Sequence, residues 1–281
     1  MTRHNLADRG TPTLHTRVER WECDFNNHWN VRFYARSFQM ASESLASRET
    51  GRNPGAGVVA TRHIRFHKEL FANAPVVIRS ARVGDGAFGG AVMHLAVSEG
   101  KLAATSLEQG IAHGESLPVI ASDALSSALP RGIDTAPVDT DWPAGSGDQT
   151  LELGPVRPAE LDHTGGLLTE DILKRVALAS HHQLAAVGYT PEFVQETGIS
   201  RMSVENRAVR HGDPKAGDMV HARSRIIHVG EKIFNVQYHL FVPDGPAVAT
   251  VEQCFVAVDL KSRRGVAAPA FLRAAMPVAA S

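Results

Sequence analysis

Leu107-Glu108-Gln109 and Val251-Glu252-Gln253 stand 144 positions apart, and the likeness extends well beyond the tripeptide. Sliding the chain against itself by that amount, without a gap, pairs Val76 with Val220, Arg79 with Arg223 and Ser80 with Ser224. It also pairs Gly86 with Gly230, Val92 with Val236 and Ala103 with Ala247. A gapless run over positions 76 to 111 points to a duplication. A duplicated chain is tightly constrained: each copy must build the same layers, and each can use the other to cover what it leaves exposed. At 281 residues there is comfortable room for two such domains.

Turn formers fill the middle of the chain. From Leu117 to Gly154 the composition drifts into Pro, Gly, Ser, Asp and Thr, as in Pro130-Arg-Gly132 and Trp142-Pro-Ala-Gly-Ser-Gly147, and no periodicity survives. This reads as a linker over 117–154 between an N-terminal domain, 1–116, and a C-terminal domain, 155–281. Each half has the same predicted order. A short strand, His15 to Cys23, precedes a helix of roughly Asn30 to Arg48, whose Tyr34, Phe38, Ala41 and Leu45 share one stripe. Gly51 and Pro54 end it. Strands follow near Val58–Phe71, Val76–Gly84, Ala91–Ser98 and Lys101–His113. In the second half a helix of roughly Glu170 to Val187 precedes strands near Gly198–Val209, Met219–Val229, Phe234–Val242 and Ala247–Leu260. One helix followed by antiparallel strands is an α+β layer arrangement.

Composition excludes several function classes. The net charge of −1 provides no single-sign field for wrapping nucleic acid or adsorbing to a membrane. A small-molecule substrate fits better. Two cysteines, Cys23 and Cys254, form no CxxC pair and read as reduced thiols of a cytoplasmic protein. The polar first residues lack the apolar run of a secretory signal, and no stretch is long enough for a membrane helix.

Chemistry concentrates in Asp24-Phe-Asn26-Asn-His28-Trp-Asn30, between the first strand and the first helix. Asp24, Asn26, His28 and Asn30 occupy alternate positions beside aromatics. The helix that follows offers amides with no internal acceptor and the positive end of its dipole. Such amides can polarise a carbonyl oxygen while a nearby carboxylate activates water or attacks the carbon. Asp and Asn before a helix are equally ordinary capping residues, so the residue types alone leave both readings open.

The spacing Asp24-x-Asn26-x-His28-x-Asn30, with Tyr34 in the helix, resembles the signature of hotdog thioesterases of the 4-hydroxybenzoyl-CoA type. Here Asn27 stands at that signature's Gly and Val31 at its second Asn. It is still more similar to the acyl-ACP thioesterases, double-hotdog proteins with Asp-x-Asn-x-His and a catalytic Glu on the next strand, where Glu69 falls in this chain. The resemblance implies two tandem hotdog domains, each a long helix wrapped by an antiparallel sheet. It implies hydrolysis of an acyl-CoA or acyl-ACP thioester, as in fatty acid metabolism. Asp24 or Glu69 would then be base or nucleophile, with Asn26 and His28 orienting the carboxylate or the water. Amides near Asn30–Arg32 would take the oxyanion, and Asn30, Val31 and Tyr34 would bind substrate. Arg79 is a candidate for the phosphates of CoA or the acidic face of a carrier protein. In the plant enzymes the working motif lies in the C-terminal hotdog, whereas here it lies in the N-terminal one. The second half has Asp162-His-Thr164-Gly165-Gly166, with Thr164 for Asn26 and Gly166 for His28, which reads as a degenerate copy.

No cofactor or metal is expected. His63 and His67 lie on one strand face roughly 13 Å apart, too far to share an ion. Two other functions compete. A hotdog 2-enoyl-thioester hydratase or dehydratase uses Asp-x-Asn-Pro-x-His, with Asp and His five positions apart, whereas Asp24 and His28 are four apart. A non-catalytic acyl-thioester binding module would keep the pocket without the chemistry. A tandem hotdog is its own pseudo-dimer, so both a monomer and a homodimer suit it.

Overall fold

The computed structural model describes residues 6–24, 27–111, 113–133 and 149–276. The chain forms two compact units, Met1–Arg131 with Ala159–Leu173, and Gly132–Pro158 with Lys174–Ser281.

In the first unit β1 (Thr11–Arg17) leads through a 3-10 turn, Arg20–Glu22, to helix α1 (Val31–Thr50). Four strands follow: β2 (Thr61–Phe66), β3 (Pro75–Val83), β4 (Val92–Ser98) and β5 (Lys101–Gln109). Their antiparallel order is β1-β3-β4-β5-β2, and a two-residue β6 (Val119–Ile120) runs parallel to β3. Helix α1 lies over β1 and β3. It starts where the Asn30 side chain caps the Arg32 amide and stops at Gly51, whose φ of 75° gives a left-handed cap that a side chain would resist. Tyr34, Phe38, Ala41 and Leu45, the expected stripe, are all buried. The expected strand at His15–Cys23 is displaced. Residues 11–17 pair with β3, and Val18 onward turns away to make the loop before the helix.

The opposite sheet face is apolar. Ala81, Val83, Met93, Leu95 and Leu107 are covered there by Ile120, Leu125 and Ala128. The start of the turn-rich middle segment is thus packed structure whose apolar residues are too sparse for a periodic signal. Residues 134–148 of that segment lie outside the described residues.

The second unit repeats the plan. β7 (Gln149–Pro155) was not foreseen from the sequence. Helix α2 (Thr169–Ala186), whose residues up to Leu173 belong to the first unit, and a short α3 (Pro191–Thr197) precede β8 (Ile199–Arg210), β9 (Met219–Val229), β10 (Ile233–Phe241) and β11 (Ala247–Asp259). The order is β8-β11-β10-β9-β7. On the helix-facing side Ser224 Oγ donates to Gln183 Oε1 of α2 at 3.0 Å.

The repeat has a shifting register. Asp24 and Asp162, which open equivalent loops, are 138 positions apart, and Ser80 and Ser224 are 144 apart. In the last strand the true partner of Glu108 is Gln253, not Glu252. Glu108 pairs with Arg62, and Gln253 pairs with Asn206. Glu252 pairs with Gln237 and takes an Asn235 Nδ2–H at 2.9 Å on the other face. A one-residue slip flips every side chain of a strand, so the matching tripeptides put their glutamates on opposite faces.

Beneath α1 the sheet carries a polar chain. Thr13 Oγ1 and Ser80 Oγ lie 2.7 Å apart, Ser80 Oγ and His94 Nδ1 2.6 Å, and His94 Nε2 lies 3.3 Å from Glu108 Oε2. Arg62 Nε donates to Glu108 Oε1 at 2.7 Å and Arg62 Nη1 to Thr169 Oγ1. Burial works to raise the Glu108 carboxyl, but Arg62 and His94 outweigh it and hold it down to about 2. A depressed carboxylate stabilises the fold above its unfolded value near 4.5 and loses that contribution as pH falls toward 2. Arg62→Met, which strands the buried charge, is expected to cost about 3–5 kcal/mol in urea unfolding at pH 7. The loss should shrink as the titration is repeated toward pH 3.

Candidate active site

The loop between β1 and α1 is closed by its own backbone. The Asp24 amide donates to His28 O at 2.8 Å, and the Asn27 amide to Asp24 O at 2.9 Å. Asp24 Oδ1 accepts the His28 amide at 3.0 Å. Asn27 sits at φ 62°, where the thioesterase signature that this loop resembles has glycine; asparagine is among the side chains that tolerate this region best. Phe25 and Asn26 lie outside the described residues.

The Trp29 amide reaches across to Leu70 O at 2.7 Å, and His28 bridges to Phe71. This antiparallel bridge sets His28 opposite Phe71, and Glu69, two residues before Phe71, is its diagonal neighbour. His28 Nε2 therefore stands 3.4 Å from Glu69 Oε2, both partly exposed. The Phe71 ring meets the His28 ring edge-on at 5.3 Å. Glu69 lies in the loop after β2 rather than on the strand itself, because β2 ends at Phe66. An open cleft of about 280 Å³ beside Glu69 is lined by Lys68, Phe71, Asn73, Ser98 and Glu99 among others.

At the helix terminus three amides were candidates for an oxyanion. The Asn30 amide donates to Glu22 O at 2.9 Å, and the Arg32 amide to Asn30 Oδ1 at 3.1 Å. Val31 is the one of the three with no hydrogen bond to its amide among the described residues. Tyr34 supports the loop from inside, with its ring 4.2 Å from Trp29 and 5.3 Å from Phe66. Burial pushes its phenol well above the usual range, so it stays neutral.

Arg79 is not brought to this loop. It sits on β3, where its Nε donates to Arg9 O at 2.9 Å and its Nη2 to Gly10 O at 2.8 Å, fastening the segment before β1. His63 is buried within β2, and His67, just beyond it, has Nε2 3.4 Å from Thr105 Oγ1. Among the described residues no group of three or more His, Cys, Asp or Glu is placed to hold a metal, and no helix is long and apolar enough to cross a membrane.

The loop has a twin. The Asp162 amide donates to Gly166 O at 2.9 Å, the Gly165 amide to Asp162 O at 3.1 Å, and Asp162 Oδ1 accepts the Gly166 amide at 2.9 Å. Gly165 occupies the left-handed position of Asn27, at φ 85°. The backbone is the same, but the carboxylate is spent. Oδ1 also takes the Thr164 amide and hydroxyl, each at 2.7 Å, and Oδ2 takes the Ala56 amide. The turn after α1 approaches so closely that a Cβ on Gly55 would lie 2.6 Å from Asp162 Oδ2. Burial works to raise this carboxyl, but the Ala56, Thr164 and Gly166 donors outweigh it and leave it lowered. Asp162→Ala should lower stability by roughly 1–3 kcal/mol at neutral pH, since it leaves amides without an acceptor. Because the carboxylate is depressed, thermal melts of the two proteins should converge as pH falls through its folded value.

Comparison with known proteins agrees with this architecture. Residues 156–276 match the family model of the thioesterase-like superfamily. That match falls on the copy whose loop has Thr164 and Gly166 where the first has Asn26 and His28. No curated protein matched the chain. A Lactobacillus plantarum protein assigned as an oleoyl thioesterase superposes with a TM-score of 0.58 at 15% identity, over 90% of this chain and 98% of its own. The acyl-ACP thioesterase of Bacteroides thetaiotaomicron gives 0.54 at 11% identity, over 86% and 96%. The 12:0-ACP thioesterase of Umbellularia californica gives 0.52 at 12% identity, over 87% and 93%. At these identities the likeness establishes the fold. The chain has the α+β tandem hotdog arrangement that the resemblance implied, and the superpositions extend over nearly all of it.

Proposed function

We propose that the protein is a thioesterase that hydrolyses an acyl-CoA or acyl-ACP thioester at the first loop. The observation that carries this reading is the His28–Glu69 pair, 3.4 Å apart, set by a backbone bridge at the N-terminus of a long helix. Glu69 is the general base, taking a proton from water as the oxygen attacks the thioester carbonyl carbon. His28 orients Glu69 and the water. The Val31 amide, at the positive end of the α1 dipole, donates to the developing oxyanion. When the intermediate collapses, the C–S bond breaks, the acyl group leaves as carboxylic acid and the sulfur takes up a proton as free thiol. Asp24 contributes first by building the loop, since its Oδ1 holds the His28 amide. Asn26 belongs to the same reading by its place in the motif. The second loop carries no catalysis, because Asp162 is saturated by donors. The same reading makes Asn30 a cap that shapes the terminus and places the protein in the cytoplasm as a monomer or homodimer.

The test is release of free thiol from a panel of acetyl-, octanoyl-, palmitoyl- and benzoyl-CoA and the corresponding acyl-ACPs. Glu69→Gln and His28→Ala are each expected to lower kcat by about 100-fold or more, the size of a lost general base and its orienting partner. Asp24→Asn, which keeps an acceptor for the His28 amide, should cost less than Glu69→Gln. Turnover unchanged in all three variants would remove the site, and no thiol release from any panel member would remove the activity.

A further inference from the structure

Glu22, two residues before the loop, is a carboxylate at the centre of its scaffold. It is only 2% exposed. Oε2 accepts the Trp29 indole N–H at 2.8 Å and the Glu19 amide at 3.4 Å. Oε1 pairs with the Arg36 guanidinium on the second turn of α1. Its backbone carbonyl takes the Asn30 amide at 2.9 Å. One residue therefore holds both ends of the segment that carries Asp24 and His28 and fastens it to the helix that follows. Arg36 is itself oriented, with its guanidinium 4.7 Å over the Phe33 ring.

These contacts reach the reacting groups by two short routes. Trp29 is the residue whose amide bonds Leu70 O, the bridge that sets His28 beside Glu69. By occupying the Asn30 amide, Glu22 also leaves Val31 as the next donor along the helix terminus. We infer that Glu22 is a positioning residue for the reaction, acting through Trp29 and Asn30 on the His28–Glu69 pair and the Val31 amide. The inference rests on the thioesterase reading of that site. The competing account is purely architectural, since the second copy keeps Glu160 at the equivalent place, where its carbonyl takes the Leu168 amide at 2.9 Å. The two accounts differ in what the carboxylate does. Architecture needs the backbone carbonyl and a side chain that fits, whereas positioning needs the charge that joins Trp29 to Arg36.

The experiment compares the full-length wild type with Glu22→Gln, Arg36→Gln and the double variant. The substrate is the acyl-CoA of the panel that wild type turns over fastest. Glu22→Gln keeps size and an acceptor for Trp29 but removes the charge. It is expected to lower kcat by about 10- to 100-fold, the size of a sub-ångström misalignment, with KM within about threefold. The Arg36→Gln effect should not add to it, as expected for residues acting as one unit. Amide hydrogen exchange should quicken at Trp29 and Asn30 while the middle of α1 is unchanged. Unchanged kcat per folded molecule, additive effects, or exchange that quickens evenly over the unit would each overturn the inference. If Glu22→Gln does not fold, Trp29→Phe removes the same indole bond, and undiminished kcat there also overturns it. Exchange needs no substrate, so an inactive wild type would sink the thioesterase reading while local exchange still decides whether Glu22 holds the loop.

Discussion

The first amides of α1 have no acceptor inside the helix, and the disposal of those amides sets the geometry around Asp24. One goes to the carbonyl of Glu22 and one to the side chain of Asn30. The loop before them is folded back on itself by Asp24 and docked on Leu70 through Trp29. A helix terminus that must be satisfied from outside therefore becomes a rigid corner. His28 and Glu69 meet at that corner because their neighbours are bonded, not because they are near in sequence.

The second copy builds the same corner around different side chains. Asp162, Gly165 and Gly166 reproduce the hydrogen bonds of Asp24, Asn27 and His28. Thr164 turns inward, the Ala56 amide closes on the second oxygen, and no imidazole follows. A carboxylate engaged by four donors is held down as an anion and has no capacity left to take a proton from water. The same residue type holds the loop in both copies, and in the first that loop also carries the imidazole that meets Glu69.

Further from the loop, the helix–sheet seam of the first unit carries charge where an apolar layer would be ordinary. Arg62, Glu108 and His94 are buried together, with Ser80 and Thr13 extending the chain of contacts. Its equivalent in the second unit is the neutral Gln253–Asn206 pair, at 3.2 Å. Such a network is costly to break and ties the five strands to one another, because each partner accepts one arrangement.

Local patterns were legible in the sequence because they are local. The stripe of Tyr34, Phe38, Ala41 and Leu45, the Asn30 cap and the Gly51 stop place α1 to within a residue or two. The alternating strands near Met219–Val229 and Lys101–His113 read in the same way. The motif spacing carried the family likeness, and the duplication was visible as a repeat. Tertiary structure decided the rest. It moved the first strand ahead of Val18 and found β7 in a segment that turn residues had masked. It put the two glutamates of the matching tripeptides on opposite sheet faces, since register is set by partner strands and not by the strand's own residues. It brought Glu69 to His28 and tied Arg79 to backbone elsewhere. Glu22 illustrates the division. Its identity is plain in the sequence, but its burial against Trp29 and Arg36 depends on a turn, a helix and a loop meeting at one point, and no one-dimensional pattern encodes that meeting.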